Sequence, residues 1–399
     1  MDIKNICPRC MREKPRPEVI CPFCGRSPGV RTAPPHALAN GTVLMGRYLT
    51  GDILEEEDFH ISYAGYDLQA DRRVSVREFF FRGGMQRVTA HSADVRIPEG
   101  AYELDQTIAV CEEKFESEAR QIMEAGGLPG IARVYDVFYE NRTVYIIQEY
   151  PDGTTLGEYV RDHGPMPFDL VLKNMLPVMH SLSLLHEMQI LHCDIRPGNL
   201  IAGPDGGLKL FDFGGAKMLG RYDGLKSAAD DEENSYTPVE QLFHEELQPS
   251  ADEYALAAVM YFAVTGTDPQ DARSRADKDM LPRPSSIGAD IRKNEEDVLM
   301  KAMSVRRSGR YRTVSAFEAA LENAAAGRPA PRDPDDRKHS RKVWLLTFVV
   351  AAVILLVLIA AVLFLELFEP PADVSALRMQ EMSGPSAAPL ISSLFRGVR

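Results

Sequence analysis

The sequence predicts a two-lobed α+β domain set between a small cysteine-based module and a single apolar span. Three observations predict it. Strand-like runs occupy much of residues 43–149, and helical periodicity takes over beyond Pro151. Such an order gives a strand-rich lobe, a helix-rich lobe and a cleft between them. Two C-x-x-C pairs lie near the N-terminus, and a run of 23 residues, 343–365, carries no charge.

The first element is residues 1–26. Cys7-Pro-Arg-Cys10 and Cys21-Pro-Phe-Cys24-Gly25 present four thiols in two knuckles. Four thiolates suit a tetrahedral Zn²⁺ ion, and Pro after the first Cys and Gly after the second suit the tight turns. A closed four-ligand site is structural, and a unit this short relies on the metal for its fold. An iron–sulfur site is the alternative. A zinc ribbon binds nucleic acid or protein, and the spacing does not choose between them. Cys111 and Cys193 match no motif and read as buried free thiols. Residues 27–42, rich in Pro, Gly and Ala, read as a linker.

Residues 43–325 form the large domain. Runs at 48–54, 60–68 and 74–81 hold β-branched and aromatic residues between turn signals, so they read as strands. The stretch 82–111 reads as irregular and 112–124 as a helix. Residues 134–139 and 143–149 read as a hairpin closed by Glu140-Asn141-Arg142. Residues 168–188 carry Leu170, Leu172, Leu176, Met179, Leu182 and Leu185 on one broad face of a helix. Further helices are expected at 251–265, 294–303 and 314–325.

Residues 326–342 form a charged linker, and 343–365 a transmembrane helix. At 1.5 Å per residue that run spans roughly 34 Å, enough for a hydrocarbon core of about 30 Å. Arg337, Lys338, Arg341 and Lys342 precede it, and Glu366 and Glu369 follow. The positive-inside rule therefore places residues 1–342 in the cytoplasm of a single-pass protein of the cell membrane. No apolar segment precedes the first cysteines, so a signal peptide is not expected. The exported tail, 366–399, is too short for a packed sensor domain without staples.

Composition narrows the partners. The 399 residues carry 45 Lys+Arg against 58 Asp+Glu, a net charge of −13, with 45% apolar residues. The apolar fraction excludes bulk disorder, and the length allows two or three domains or one large one. An acidic chain is a poor general nucleic-acid binder, because neutralising phosphates needs a basic face.

The segment 190–216 holds Asp194 and Asn199 five residues apart, with Asp212-Phe213-Gly214 thirteen further on. From about Val43 to Ala325 the chain resembles the eukaryotic-type Ser/Thr protein kinase family, whose catalytic loop H-R-D-x-x-x-x-N precedes D-F-G. It is most similar to bacterial membrane-anchored members with an N-terminal zinc ribbon. The resemblance implies a bilobal protein-kinase-like fold, Mg-ATP as cofactor and a protein substrate or signalling partner. It implies Asp194 as the catalytic Asp, Asn199 and Asp212 as magnesium ligands, and Arg196 in place of the Lys that steadies the γ-phosphate. His192 matches the structural His of the motif. Tyr236-Thr237-Pro238-Val239-Glu240-Gln241 resembles the end of the activation segment, Asp252 the buried Asp behind the catalytic loop, and Arg310 the partner of Glu240.

Three departures follow the same alignment. Glu55, Glu57 and His60 replace the three glycines of the phosphate-covering loop, and four consecutive acids, 55–58, sit where a polyanion should lie. One carboxylate about 6 Å from a phosphate charge costs about 1.4 kcal/mol at an effective dielectric near 40. Arg77 replaces the Lys of V-A-I-K, and a planar fork is no substitute for a point charge in a fitted pocket. Its expected partner is Glu118. Cys193 replaces the Arg before the catalytic Asp, and the acidic run 230–233 would repel a phosphate in the activation segment. These changes imply a pseudokinase or severely impaired kinase acting as a scaffold; the alternative is an active Ser/Thr kinase with an unusual phosphate clamp.

Overall fold

A computed structural model describes residues 3–17, 19–27, 33–90, 92–98, 102–203, 206–213, 235–329 and 352. The expected transmembrane run and the acidic run 230–233 lie outside the described residues, apart from Ala352. Among the described residues no helix is long and apolar enough to cross a membrane.

The upper lobe is an antiparallel sheet of six strands: β1 (Val43–Leu44), β2 (Tyr48–Glu56), β3 (His60–Asp67), β4 (Arg72–Phe79), β7 (Val134–Glu140) and β8 (Thr143–Glu149). Their order is β1-β2-β3-β4-β8-β7. Central β4 is covered on both faces, which explains its Val-Ser-Val core with a buried Arg77 and Glu78. The β7–β8 hairpin turns on Asn141 and Arg142, at φ 54° and 62°. Two successive residues at positive φ give the turn whose twist matches that of the strands.

Helix α1 (Tyr102–Glu124) lies against β7 and β8. It starts ten residues before the predicted 112. Ile108, Cys111, Phe115, Ala119 and Ile122 are its buried face. The first two turns are too polar to stand out by periodicity. Within the stretch read as irregular, β5 (Gln86–Arg87) pairs with β6 (Val95–Arg96). This hairpin delivers Arg87 to the buried Glu78, Nη1 to Oε1 at 2.7 Å, and Tyr63 and Tyr145 donate to the same carboxylate at 2.9 Å.

The predicted linker needs correction. Residues 33–42 pack into the upper lobe, with Ala37 and Leu38 buried, the Leu38 N–H donating to Tyr63 Oη at 3.1 Å and the His36 carbonyl accepting from Arg87. Two buried apolar residues and two hydrogen bonds thus tie down a segment whose composition reads as flexible.

The lower lobe is helical. Strand β9 (Thr154–Thr155) leads into α2 (Leu156–His163), where Thr155 and Glu158 form a capping box. Next come α3 (Phe168–Glu187), β10 (Leu200–Ala202), β11 (Leu208–Leu210), α4 (Val239–Leu242) and α5 (Pro249–Thr265). Then follow α6 (Ala272–Asp277), α7 (Lys293–Ala302) and α8 (Val314–Ala325). Helix α5 is buried on every side from Ser250 to Val264, so it forms the axis of the lobe. Strands β11, β10 and β9 make a small sheet facing the cleft.

Candidate active site

Asp252, at the start of α5, organises the loop before β10. Its Oδ1 accepts the Cys193 N–H at 2.9 Å; its Oδ2 accepts the His192 N–H at 2.7 Å and His186 Nε2 at 2.8 Å. Burial opposes ionisation, but the hydrogen bond from His186 and the charge near it hold the Asp252 carboxyl below its usual range. Cys193 sits at φ 64°, and its carbonyl accepts from Gln241 Nε2 at 2.7 Å. Burial holds His192 below the ordinary imidazole value. Its Nδ1 accepts the Asp194 N–H at 3.2 Å, so its Nε2 carries the proton donated to the Phe211 carbonyl at 2.8 Å. The loop is thus fixed from α3, α4 and α5 before any substrate arrives.

On this support Asp194 and Asn199 meet. Asn199 Nδ2 donates to the Asp194 carbonyl at 2.8 Å and to its Oδ2 at 3.2 Å. Arg196 Nε lies 3.6 Å from the same carboxylate. Asp212, just after β11, has φ 59° and takes the Arg77 guanidinium, Nε to Oδ1, at 3.3 Å.

The expected Arg77–Glu118 ion pair does not form. Glu118 instead meets Lys114 Nζ at 2.9 Å, one helical turn away, and Arg77 turns to Asp212. The surroundings give the reason. His60, diagonal to Arg77 across β3 and β4, brings its ring within 3.3 Å of Nη2, and Phe115 stacks 5.4 Å below the guanidinium carbon. These walls steer the long planar side chain past α1. Burial pushes the Glu118 carboxyl up, and Lys114 opposes that shift. The cavity beside Arg77, Glu118 and Phe213 is about 20 Å³, room for about one water.

The β2–β3 hairpin closes the cleft from above. Phe59, at its tip, is buried and stacks on Phe81 at 4.8 Å. Pairing between β2 and β3 shifts register between Thr50 and Ile53 and again between Ile53 and Glu55, a bulge that re-aims the strand end. Glu55 and Glu57 then face the cleft, while Glu56 turns to His36 at 2.8 Å and Arg82 at 3.1 Å. Glu57 Oε1 receives Arg196 Nη2 at 2.8 Å, and Glu55 Oε1 lies 3.3 Å from it. Glu55 is also hydrogen-bonded to Asp212. Burial and then the Asp212 charge raise the Glu55 carboxyl well above the ordinary range. Asp212 is held low against its burial by Arg77 and His60. Glu55 is therefore the partner that carries the shared proton.

Below the cleft, Arg310 forms a buried bidentate pair with Glu240 at 2.6 and 3.0 Å and also donates to the carbonyls of Ser250, Ser304 and Val305. The structure thus brings Asp194, Arg196, Asn199, Asp212 and Arg77 into one cluster and leaves Glu118 beside it on its own cation. Sequence reasoning missed His60 as a wall of Arg77 and Gln241 as a tie on the catalytic loop. Lys114 and Glu118 carried a legible signal, the i,i+4 spacing of a helical ion pair.

In the N-terminal module the four sulfurs of Cys7, Cys10, Cys21 and Cys24 lie within 4.8 Å of one another. Cys7–Cys24 and Cys10–Cys21 are each 3.6 Å apart. Metal–sulfur bonds of about 2.3 Å set a tetrahedral edge of about 3.8 Å, so the donor set fits such an ion. The first knuckle turns on Met11 at φ 55° and the second on Gly25 at φ 69°.

A strand-rich lobe, a helical lobe and an Asp–Asn–Asp cluster in the cleft between them define a protein-kinase-like molecule. A protein kinase domain family model matches residues 103–308, and the chain belongs to that family, as a bacterial relative of the eukaryotic-type Ser/Thr kinases. The match begins in α1, leaving β1–β4 outside it. The chain is 27% identical over 323 residues to the serine/threonine-protein kinase PknB of Mycobacterium leprae, covering 77% of this chain and 47% of PknB. It is 28% identical over 228 residues to PknA of Mycobacterium tuberculosis (H37Rv), covering 55% of this chain and 53% of PknA. The chain spans about half the length of these curated relatives. Among solved structures, "PpkA-294 apo form" shares the fold with a TM-score of 0.59 at 22% identity, covering 72% of this chain and 99% of that one.

Proposed function

We propose that the chain is a membrane-anchored signalling scaffold, a pseudokinase or severely impaired kinase. One observation carries the reading: the groups that would meet Mg-ATP already pair with one another. Asp212 is engaged by Arg77 and Glu55, and Arg196 by Glu57 and Glu55. A nucleotide would have to break these contacts and bring its phosphates against two carboxyl side chains. Asn199 and Asp212 are the residues that would hold Mg²⁺, which would supply charge neutralisation for the phosphates. The run 343–365 would anchor the chain with residues 1–342 in the cytoplasm, and Cys7, Cys10, Cys21 and Cys24 would hold a structural Zn²⁺.

The competing reading is an active Ser/Thr protein kinase with an unusual clamp. It is favoured by the intact support of Asp194, held by Asn199 and by the Asp252 network. Calorimetry of Mg-ATP with the full, zinc-retaining chain separates the two. The scaffold reading expects binding no tighter than millimolar. Tight Mg-ATP binding with protein phosphorylation lost in Asp194→Asn would overturn it.

A further inference from the structure

We infer that the cysteine module is an internal clamp on the kinase-like domain, holding both the interlobe linker and the strand that carries Glu55. This rests on the zinc reading above and is independent of whether the cleft binds nucleotide. A ribbon that only recruits partners would hang from the domain on its linker. This one is docked through its first knuckle.

The two residues enclosed between Cys7 and Cys10 supply the contacts. The Pro8 carbonyl accepts the Asp52 N–H of β2 at 2.7 Å, and the Arg9 carbonyl accepts Tyr150 Oη at 3.2 Å. Tyr150 lies in the segment joining β8 to β9, the passage between the lobes. Arg12 adds a contact to Asp152 at 3.7 Å, and Arg73 of β4 donates to the same carboxylate at 3.0 Å. Arg26, just past the second knuckle, meets the Asp52 carboxylate, which also accepts from Asn40 at 2.7 Å.

Packing matches the polar contacts. Met11, buried, joins Ile6, Leu49, Ala64 and Tyr66 in one apolar cluster with Tyr150 packed on it. Gly51 permits the approach: a Cβ there would lie 2.1 Å from both the Pro8 carbonyl oxygen and Met11 Cε. The direction of the Pro8 and Arg9 carbonyls is set by the knuckle, and the knuckle by its metal. Loss of the ion would release one hydrogen bond to β2 and one to the interlobe linker together. Glu55 lies three residues beyond Asp52 on the same strand, so the clamp reaches the cleft.

Hydrogen exchange of the full chain, zinc-loaded and after chelation, tests this. Chelation should speed exchange by about tenfold in residues 48–57 and 149–154 and leave α3 and α5 unchanged. Gly51→Ala keeps all four cysteines; it should retain zinc and speed exchange in the same two segments. Unchanged exchange there under both treatments overturns the clamp, and so does uniformly faster exchange throughout the chain after chelation. Absence of zinc from the purified chain would refute the metal reading, while the Gly51→Ala result would still decide the docking.

Discussion

At Glu55 the chain sets a carboxyl side chain against the Asp212 carboxylate and an Arg. Its raised pKa means that the folded state keeps a proton which the unfolded state releases above about 4.5. Stability from this group is therefore lost as pH rises from the ordinary carboxylate range through the raised value. Gln at this position stays neutral and can still donate to Asp212. Glu55→Gln should gain thermal stability over the wild type as pH rises from about 6 to 8.5, the difference in Tm widening with pH. Parallel melting curves across that range would show that Glu55 is not the protonated partner. Such pairing is a matter of reach in three dimensions. The sequence shows Arg77 and Glu118 at the expected positions and Lys114 one turn before Glu118, but it does not show that His60 and Phe115 turn Arg77 aside. Asp194, Asn199 and Asp212 were legible because their order and spacing are themselves the motif.

The β2–β3 hairpin lies outside the part of the chain that the family model matches, and there the resemblance implies a departure from the family pattern. Glycines let a backbone lie over phosphates; here the same strand ends carry Glu55, Glu57 and His60, and the tip is pinned by Phe59 on Phe81. Glu56, between Glu55 and Glu57, turns away to His36 and Arg82. The bulge that aims Glu55 and Glu57 at Arg196 leaves no signal in composition. If these side chains are what excludes nucleotide, removing them should admit it. A variant with Glu55→Gly, Glu57→Gly, His60→Gly and Arg77→Lys should bind Mg-ATP more tightly than the wild type, by about tenfold for the Glu57 carboxylate, Glu55 being the protonated partner. A folded variant with wild-type affinity would place the obstruction elsewhere in the cleft. Helices α3, α5, α7 and α8, in contrast, were legible almost residue for residue: α3, α7 and α8 through the period of a buried face, and α5 through its long apolar run.

For the whole molecule, composition suggested modules on linkers, and within the described residues packing joins them. The segment 33–42 became part of the upper lobe, and the cysteine module sits on Gly51 and Tyr150. A linker reading rests on average composition, whereas docking is decided by a few residues such as Leu38, Met11 and Gly51. Charge asymmetry around 343–365 remains the argument for anchoring, and the chain supplies its own probe. Its single Trp, Trp344, is the second residue of the apolar run, on the cationic side. Indole favours the boundary between headgroups and hydrocarbon. In proteoliposomes, Trp emission should be quenched more by bromine placed near the headgroups than by bromine at the acyl chain ends. Urea that unfolds the kinase-like domain should leave that emission unchanged, because no other Trp contributes. Quenching by aqueous iodide equal to that of free indole, with no effect of brominated lipid, would remove the membrane span and with it the scaffold's proposed address.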